Sequence, residues 1–269
     1  MNSAAPPTVS VISIVFRDLD GLRRTINSTA AQTYSSIEHL VIDGGSGSET
    51  VEFLEGAGLD YWQSCADGGR YDAMNQGIDR ASGDLLWFMH AGDSFADKHA
   101  ISAAVDALDP QRDARDQWGH GAARLVGDDA RSGMIWCYTP FDMRRFASGT
   151  RPIPHQAAFF GADVVAQAGH YSTTFGLAAD HLFMLRAAQV TPPVVIDRVL
   201  CDFDTSGAGS VRPQSAHYQD IRRSWDETGY YPSRSRRRSR VYSHGIEWNA
   251  RMRAAVRGVV AQNQPDVPR

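Results

Sequence analysis

Lysine is almost missing from this 269-residue chain: Lys98 stands alone beside 26 arginines. That skew reads as the codon bias of a GC-rich genome rather than as a function. Cysteine is scarce too, with only Cys65, Cys137 and Cys201, far apart and odd in number. That excludes a disulfide framework and a cysteine-based zinc site, and it favours a reducing compartment. No stretch approaches the roughly 20 apolar residues of a membrane-spanning helix. The run at residues 9–16 is too short, and no basic segment precedes it, so neither a signal peptide nor a span is expected and a cytoplasmic location is the reading. The Gly-x-Gly-x-x-Gly fingerprint is absent from the first strand-helix turn, so a NAD-dependent dehydrogenase ranks last, and a Walker A loop is absent too.

What is present is ordinary globular material, 42% hydrophobic and 22% charged. A chain of this length buries roughly 70–75% of its unfolded surface, enough for one large domain or a domain with an appendage. The net charge of −4 conceals an asymmetry: residues 211–269 carry a net +7 and the remainder −11. The basic tail is expected either to meet an anionic membrane surface, such as the inner face of the plasma membrane, or merely to keep the chain soluble. Nucleic acid is the poorer partner, since only Tyr242 and Trp248 offer stacking nearby.

The first 93 residues alternate between two hydrophobic periods. Strands are expected at 9–16, 39–42, near Tyr61-Trp62 and at 85–89. Helices are expected between them, with Asp20 and Ser48 as caps and the third over 71–81. That βαβαβαβ order predicts a mostly parallel sheet flanked by helices, with ligands beyond the carboxyl ends of the strands. The second half is less regular. A helix capped by Asp97 runs to Leu108, with strands near 122–126, 134–138 and 194–201. Residues 152–160 form a rigid entry into an apolar run, and 178–189 a helix. A flexible turn follows at 206–210, then a basic loop at 234–240 and a terminal helix over about 246–260. We divide the chain into a nucleotide-binding half (1–110), an acceptor-side half of the same domain (111–210) and an Arg-rich tail (211–269).

Polar residues follow every early strand. Arg17-Asp18 follows the first. Asp43-Gly44-Gly45-Ser46 follows the second, where glycines admit a ligand to the backbone and the carboxylate suits a nucleobase N–H or a ribose hydroxyl. The alternative for Asp43 is a turn-shaping role. Asp67-Gly68-Gly69-Arg70-Tyr71-Asp72 opens the third helix, and Asn75 shares a face with Asp72. An aromatic, a carboxylate and an amide suit a nucleoside surface, but Asp72 also fits simple capping. His90-Ala91-Gly92-Asp93 follows the fourth strand. Asp93 is placed to hold Mg²⁺ or Mn²⁺ against a diphosphate, with His90 as a second ligand or phosphate donor; the alternative is a turn cap. His155-Gln156 follows two prolines that hold the chain extended and could face a cleft or pack at the core edge. Asp180 opens an apolar helix and reads as a general base with a burial-raised pKa, or as an N-cap.

In their order, Asp43-Gly-Gly-Ser, Asp67-Gly-Gly-Arg-Tyr-Asp-Ala-Met-Asn-Gln-Gly, Gly92-Asp93, His155-Gln156 and Ala179-Asp180 resemble the family 2 glycosyltransferases, over about residues 9–210. The Tyr-Asp-Ala-Met-Asn segment is similar to a branch that builds bacterial cell-surface polysaccharides and glycolipids. The resemblance implies a GT-A fold, a nucleotide-diphosphate sugar donor, inversion of configuration, and a hydroxyl acceptor that is lipid-linked or saccharide. It assigns the nucleoside contact to Asp43, the nucleotide-sugar pocket to the segment from Asp67 to Asn75, the metal to Asp93 and the catalytic base to Asp180. One departure stands out. The first acid of the family's Asp-x-Asp motif is replaced in Ala91-Gly92-Asp93, and His90 stands where Asn is frequent. A catalytically silent nucleotide-binding subunit and a nucleotide-sugar hydrolase or nucleotidyltransferase are the competing readings.

Overall fold

The structure, a computed structural model, describes residues 5–206 and 214–262. Two compact units emerge, Met1–Phe141 with Pro152–Ser210, and Asp142–Arg151 with Val211–Arg269. Residues 142–151 thus cluster with the C-terminal helices. The turn expected at 206–210 lies outside the described residues beyond Ser206.

The first unit is built on one sheet. β1 (Val9–Val15), β2 (Ile37–Asp43), β3 (Tyr61–Ser64) and β4 (Leu85–Phe88) are parallel, in the order β3-β2-β1-β4. All seven residues of β1 are buried, because a parallel strand covered on both faces has no solvent side. Alternation sends Val9 and Val11 into a cluster with Trp87, Phe95, Ile101 and Phe159, while Ile12 on the other face lies against Gly77 of α3 (Arg70–Arg80). A fully buried side chain such as Leu22 or Phe159 contributes roughly 1.5–3 kcal/mol. α1 (Leu19–Ala30) buries Leu22 and Ile26, one turn apart, and α2 (Ser48–Glu55) buries Leu54 in the same cluster.

Beyond β4 the sheet becomes mixed. β8 (Ala158–Gly161) pairs antiparallel to β4 and to β6 (Trp118–Val126), and β6 runs parallel to β9 (Val194–Asp204). The short β5 (Ser94–Phe95) and β7 (Ile135–Trp136) pair antiparallel to β9 and β6. α4 (Ala100–Asp106), α6 (Ala162–Ala168) and α7 (Ala179–Val190) complete the unit. From β1 the chain steps outward to β2 and β3, then crosses back to β4. The carboxyl ends of β1 and β4 therefore flank the switch point where α/β sheets bind ligands.

Several expected caps differ. α1 is capped by Asp18, not Asp20, because the Asp18 carboxylate accepts from Gly21 N–H at 2.9 Å. α2 starts after Gly47 without a side-chain cap from Ser48. Asp97 accepts from His99 N–H and pairs with Arg198 at 2.7 Å, so α4 begins only at Ala100.

The second unit contains α5 (Met143–Ala147), α8 (Gln214–Thr228) and α9 (Arg236–Gln262). Trp225, fully buried, donates its indole N–H to Ala147 O at 2.7 Å. The basic segment expected as a loop is helical from Arg236. Arg236 and Arg240, one turn apart, both pair with Asp226 of α8 at 2.9 and 2.7 Å, which offsets the repulsion between them. Arg222 and Glu247, both mostly buried, join the two helices at 2.9 Å.

Candidate active site

The strand registers carry the polar residues to one edge. Val15 pairs with Asp43, and Asp43 with Ser64, so three neighbouring strands end level. Asp43 is fully buried. Its carboxylate accepts from Ser46 N–H at 3.0 and 3.1 Å, from the Ser46 hydroxyl, and from the Ser64 hydroxyl at 2.6 Å. Ser46 Oγ in turn accepts from Arg17 N–H at 2.7 Å, which ties the end of β1 to the same loop. Arg17 is exposed, with a positive φ of 56°. Gly44 allows the next loop to approach: a Cβ there would lie 2.9 Å from an Asp67 carboxylate oxygen. Asp43, Gly44, Gly45 and Asp67 thus share one corner.

Asp67 accepts from Gly69 N–H at 2.8 Å, and Asp72 reaches back to Gly68 N–H at 2.9 Å while accepting from Gln76 at 2.8 Å. These bonds fold the Gly68-Gly69 loop back onto the first turn of α3, whose N-cap, Gly69, carries no side-chain cap bond. They leave Arg70 exposed. Asn75 is committed elsewhere: it donates to Tyr171 O at 2.9 Å and accepts from Tyr171 N–H at 2.8 Å. Tyr71 stacks on the Tyr171 ring with centroids 5.9 Å apart.

The densest cluster lies beyond β4. Asp93 is 4% exposed and accepts from Asp204 N–H at 2.8 Å; Gln156 also hydrogen-bonds its carboxylate. Burial, opposed by the Asp204 N–H bond and reinforced by the Asp204 charge, pushes its pKa up to about 8. Gly92, at φ 100°, turns the chain here and leaves room for Asp204, whose carboxylate would lie 3.1 Å from a Cβ. The Thr25 hydroxyl donates to Asp93 O at 2.6 Å and pins the turn to α1.

Gln156 also meets His90 Nδ1 at 3.3 Å. Burial, then the neighbouring His155 and Arg70, hold the His90 imidazole well below its ordinary pKa, so the ring is neutral. His155 is likewise neutral, its pKa lowered to about 3 by burial, and it shares a 2.7 Å hydrogen bond with the Tyr171 hydroxyl. Burial and then the nearby Asp180 charge keep Tyr171 a phenol. Asp180 sits in the first turn of α7. Its carboxylate accepts from His181 N–H at 2.7 Å, and the helix is capped at Ala178 with no side-chain bond. A single chain of neighbours therefore runs Asp93–Gln156–His90–His155–Tyr171–Asp180, with Asn75 and Tyr71 branching from Tyr171. The charge of Arg70 acts on both Asp93 and His90.

A model of glycosyl transferase family 2 matches residues 10–149, just over half the chain. The chain belongs to glycosyl transferase family 2. An uncharacterized glycosyltransferase of Mycobacterium tuberculosis is 52% identical over 91% of this chain and 93% of its own length. A glycosyltransferase of PGL/p-HBAD biosynthesis from Mycobacterium bovis is 29% identical over 73% of this chain and 75% of its own. Among solved structures, a mannosyltransferase of Pyrobaculum calidifontis in complex with GDP-Man and Mn²⁺ aligns with a TM-score of 0.65 and 16% identity, covering 97% of this chain and 77% of that one. S. aureus TarS in complex with UDP-GlcNAc aligns at 0.62 and 15% identity, covering 80% of this chain and 64% of that one. The fold is GT-A, and the chain is a glycosyltransferase.

In this family member two participants escaped the reading of the sequence, Tyr171 and Asp204. Asp204 ends β9 and was discoverable by the strand-end rule that singled out Asp43 and Asp93. Tyr171 sits in an irregular segment without periodicity. The fit to a divalent cation rests on three observations. Asp93 is a buried carboxylate that binds its proton up to about pH 8 when no cation faces it. The Asp204 carboxylate stands beside it. His90 Nε2 is a buried nitrogen with no hydrogen-bond partner among the described residues, on a neutral ring of the kind that ligates metals. Among the described residues no three His, Cys, Asp or Glu side chains converge in a way that could hold a metal by themselves. The donor set fits an ion completed by phosphate and water oxygens.

Proposed function

We propose that this chain transfers a sugar from a nucleoside diphosphate to a hydroxyl acceptor with inversion at the anomeric carbon. The observation that carries the reading is the buried Asp93–Gln156–His90 cluster at the switch point, continuous through His155 and Tyr171 with Asp180. The donor complexes of the solved relatives, GDP-Man and UDP-GlcNAc, support a nucleotide sugar. The role of the Mycobacterium bovis relative in PGL/p-HBAD biosynthesis supports a lipid-linked or saccharide acceptor.

In this reading the loops of Asp43, Gly44 and Gly45 and of Asp67 and Gly68, with Arg17, Asp18, Tyr71 and Asp72 behind them, form the nucleoside side of the site, and Asn75 positions Tyr171. Arg70 and the backbone of Ala91 and Gly92 face the diphosphate. Asp93, with His90 beside it, would hold Mn²⁺ or Mg²⁺, whose charge offsets that of the departing diphosphate. His155 and Gln156 position His90 and Asp93. Asp180 removes the acceptor proton. The acceptor oxygen forms its bond to the anomeric carbon as the bond to the diphosphate oxygen breaks, and that oxygen leaves with the electron pair. The transition state is oxocarbenium-like, stabilised by preorganised dipoles and charges.

The test joins binding to turnover. A thermal-shift screen of UDP-, GDP- and dTDP-sugars with and without Mn²⁺ identifies the donor. Asp180→Asn is expected to keep that donor-induced rise in Tm while transfer falls by about 10²–10⁴-fold. Transfer at the wild-type rate overturns the base assignment. Sugar released only to water makes the chain a hydrolase, and binding without turnover on any acceptor makes it a silent subunit.

A further inference from the structure

The second unit presents a helix face that the transfer chemistry does not use. On α9, Ser239, Ser243 and Glu247 are buried, and Arg222 of α8 joins Ser243 and Glu247 at 3.1 and 2.9 Å. The opposite face shows Val241, Trp248 and Met252 at 74%, 66% and 48% exposure, with Gly245 also exposed between them. Positions 241, 245, 248 and 252 follow the helical period, so these side chains form one continuous apolar stripe. Trp248 is the most exposed of the six tryptophans, three of which are fully buried.

The arginines of this helix divide by face. Arg236 and Arg240 are held by Asp226. Arg237 and Arg238, both exposed, have no acidic partner among the described residues. The helical period puts them one turn before Val241, on either flank of the stripe, while exposed His244 and Arg251 are turned to Glu247 at 3.7 and 2.7 Å. A tryptophan and aliphatic side chains with two uncommitted guanidinium groups, Arg237 and Arg238, at one end match the boundary between headgroups and acyl chains of an anionic bilayer.

We propose that the Val241–Trp248–Met252 face of α9 docks this enzyme on an anionic lipid surface, lying in the plane of the membrane. No described helix is long and apolar enough to cross one, so the attachment is peripheral. A second copy of the chain is the competing occupant of an apolar stripe, and the oligomeric state in the test below separates the two. The inference is independent of the donor, the acceptor and the catalytic roles argued above.

Full-length protein is tested by co-sedimentation with vesicles of phosphatidylglycerol and phosphatidylethanolamine, and with phosphatidylcholine alone. Binding to the anionic vesicles is expected, with a blue-shifted tryptophan emission that brominated lipid quenches. Trp248→Ala and the double substitution Arg237→Gln/Arg238→Gln should each weaken binding roughly tenfold or more without lowering Tm. Trp248→Phe should retain binding but lose most of the quenching. Failure to bind anionic vesicles, or binding undiminished in Trp248→Ala, overturns the proposal. A concentration-dependent dimer in light scattering that these substitutions dissolve also overturns it, by giving the face to a second copy.

Discussion

β2 and β4 belong to the same parallel layer, and the chain leaving each delivers an aspartate to the same edge of the sheet. The fold treats the two in opposite ways. Asp43 is fully buried and surrounded by donors from Ser46 and Ser64, so its charge is already spent on holding two loops. Asp93 is almost as deeply buried, but it faces Asp204 and relies on one backbone N–H and Gln156. A buried carboxylate with its donors in place stabilises the fold. One without them is costly in its charged form until a cation or ligand arrives. Asp43-Gly44 and Gly92-Asp93 both read as an acid beside a glycine after a strand; the number of local donors separates a structural acid from one poised for chemistry.

The sharpest way to break this contrast is Asp93→Asn. Transfer should fall by about 10³-fold, since removing one preorganised electrostatic group costs that order, and the Mn²⁺-dependent part of the donor-induced Tm rise should vanish. Stability should move the other way. In the folded chain Asp93 binds its proton up to about pH 8, against about 3.9 when unfolded. The native state therefore holds the extra proton between those values, and Asp93 makes the fold less stable as pH rises from 4 to 8, by at most about 1.4 kcal/mol per unit. In a chelator at pH 8.5, Asp93→Asn should melt no lower than wild type. A variant that melts several degrees lower would make Asp93 a structural acid like Asp43.

Asp43→Ala tests the other side. It strands the Ser46 and Ser64 donors in a buried corner and uncouples the loop that Arg17 N–H also joins. A loss of about 2–4 kcal/mol is expected in urea unfolding, with full Tm loss already present in the absence of nucleotide. If the variant keeps its stability and loses only donor binding, Asp43 is a nucleoside ligand that the fold does not need.

The parallel layer was legible because its strands are short apolar or aromatic runs, each followed within a few residues by an aspartate, and local pattern suffices for them. Asp43, Asp93 and Asp180 were legible as strand-end or helix-start acids, and His155-Gln156 as a polar pair held by two prolines. What these residues touch was not. Asn75 looked like part of a nucleoside surface, yet both ends of its amide clamp the backbone of Tyr171, 96 residues away. Asp204 was passed over because Asp202 and Asp204 break the apolar run of β9. In the fold, Arg124 on β6 neutralises Asp202 with bonds of 2.8 and 2.7 Å, so the strand continues to the site. The arginine run of α9 read as a loop for the same reason. Its helix depends on Asp226, an acid on a different element. These three misses are polar pairings between different elements, which periodicity within a segment does not register.

The mildest probe asks how the stability of the Asp43 corner is shared. Ser64→Ala removes the β3 hydroxyl, one donor to the carboxylate, and leaves both Ser46 donors in place. A loss of about 1–2 kcal/mol is expected, the worth of a hydrogen bond to a charged group, with little change in transfer rate. Combined with Asp43→Ala, the Ser64 substitution should cost almost nothing further, because its partner is already gone. The coupling from this double-mutant cycle should approach the full single-mutant effect. Strict additivity would mean that Ser64 acts through strand pairing with Asp43 rather than through its carboxylate, and the distinction between a satisfied Asp43 and an unsatisfied Asp93 would lose its basis at that strand end.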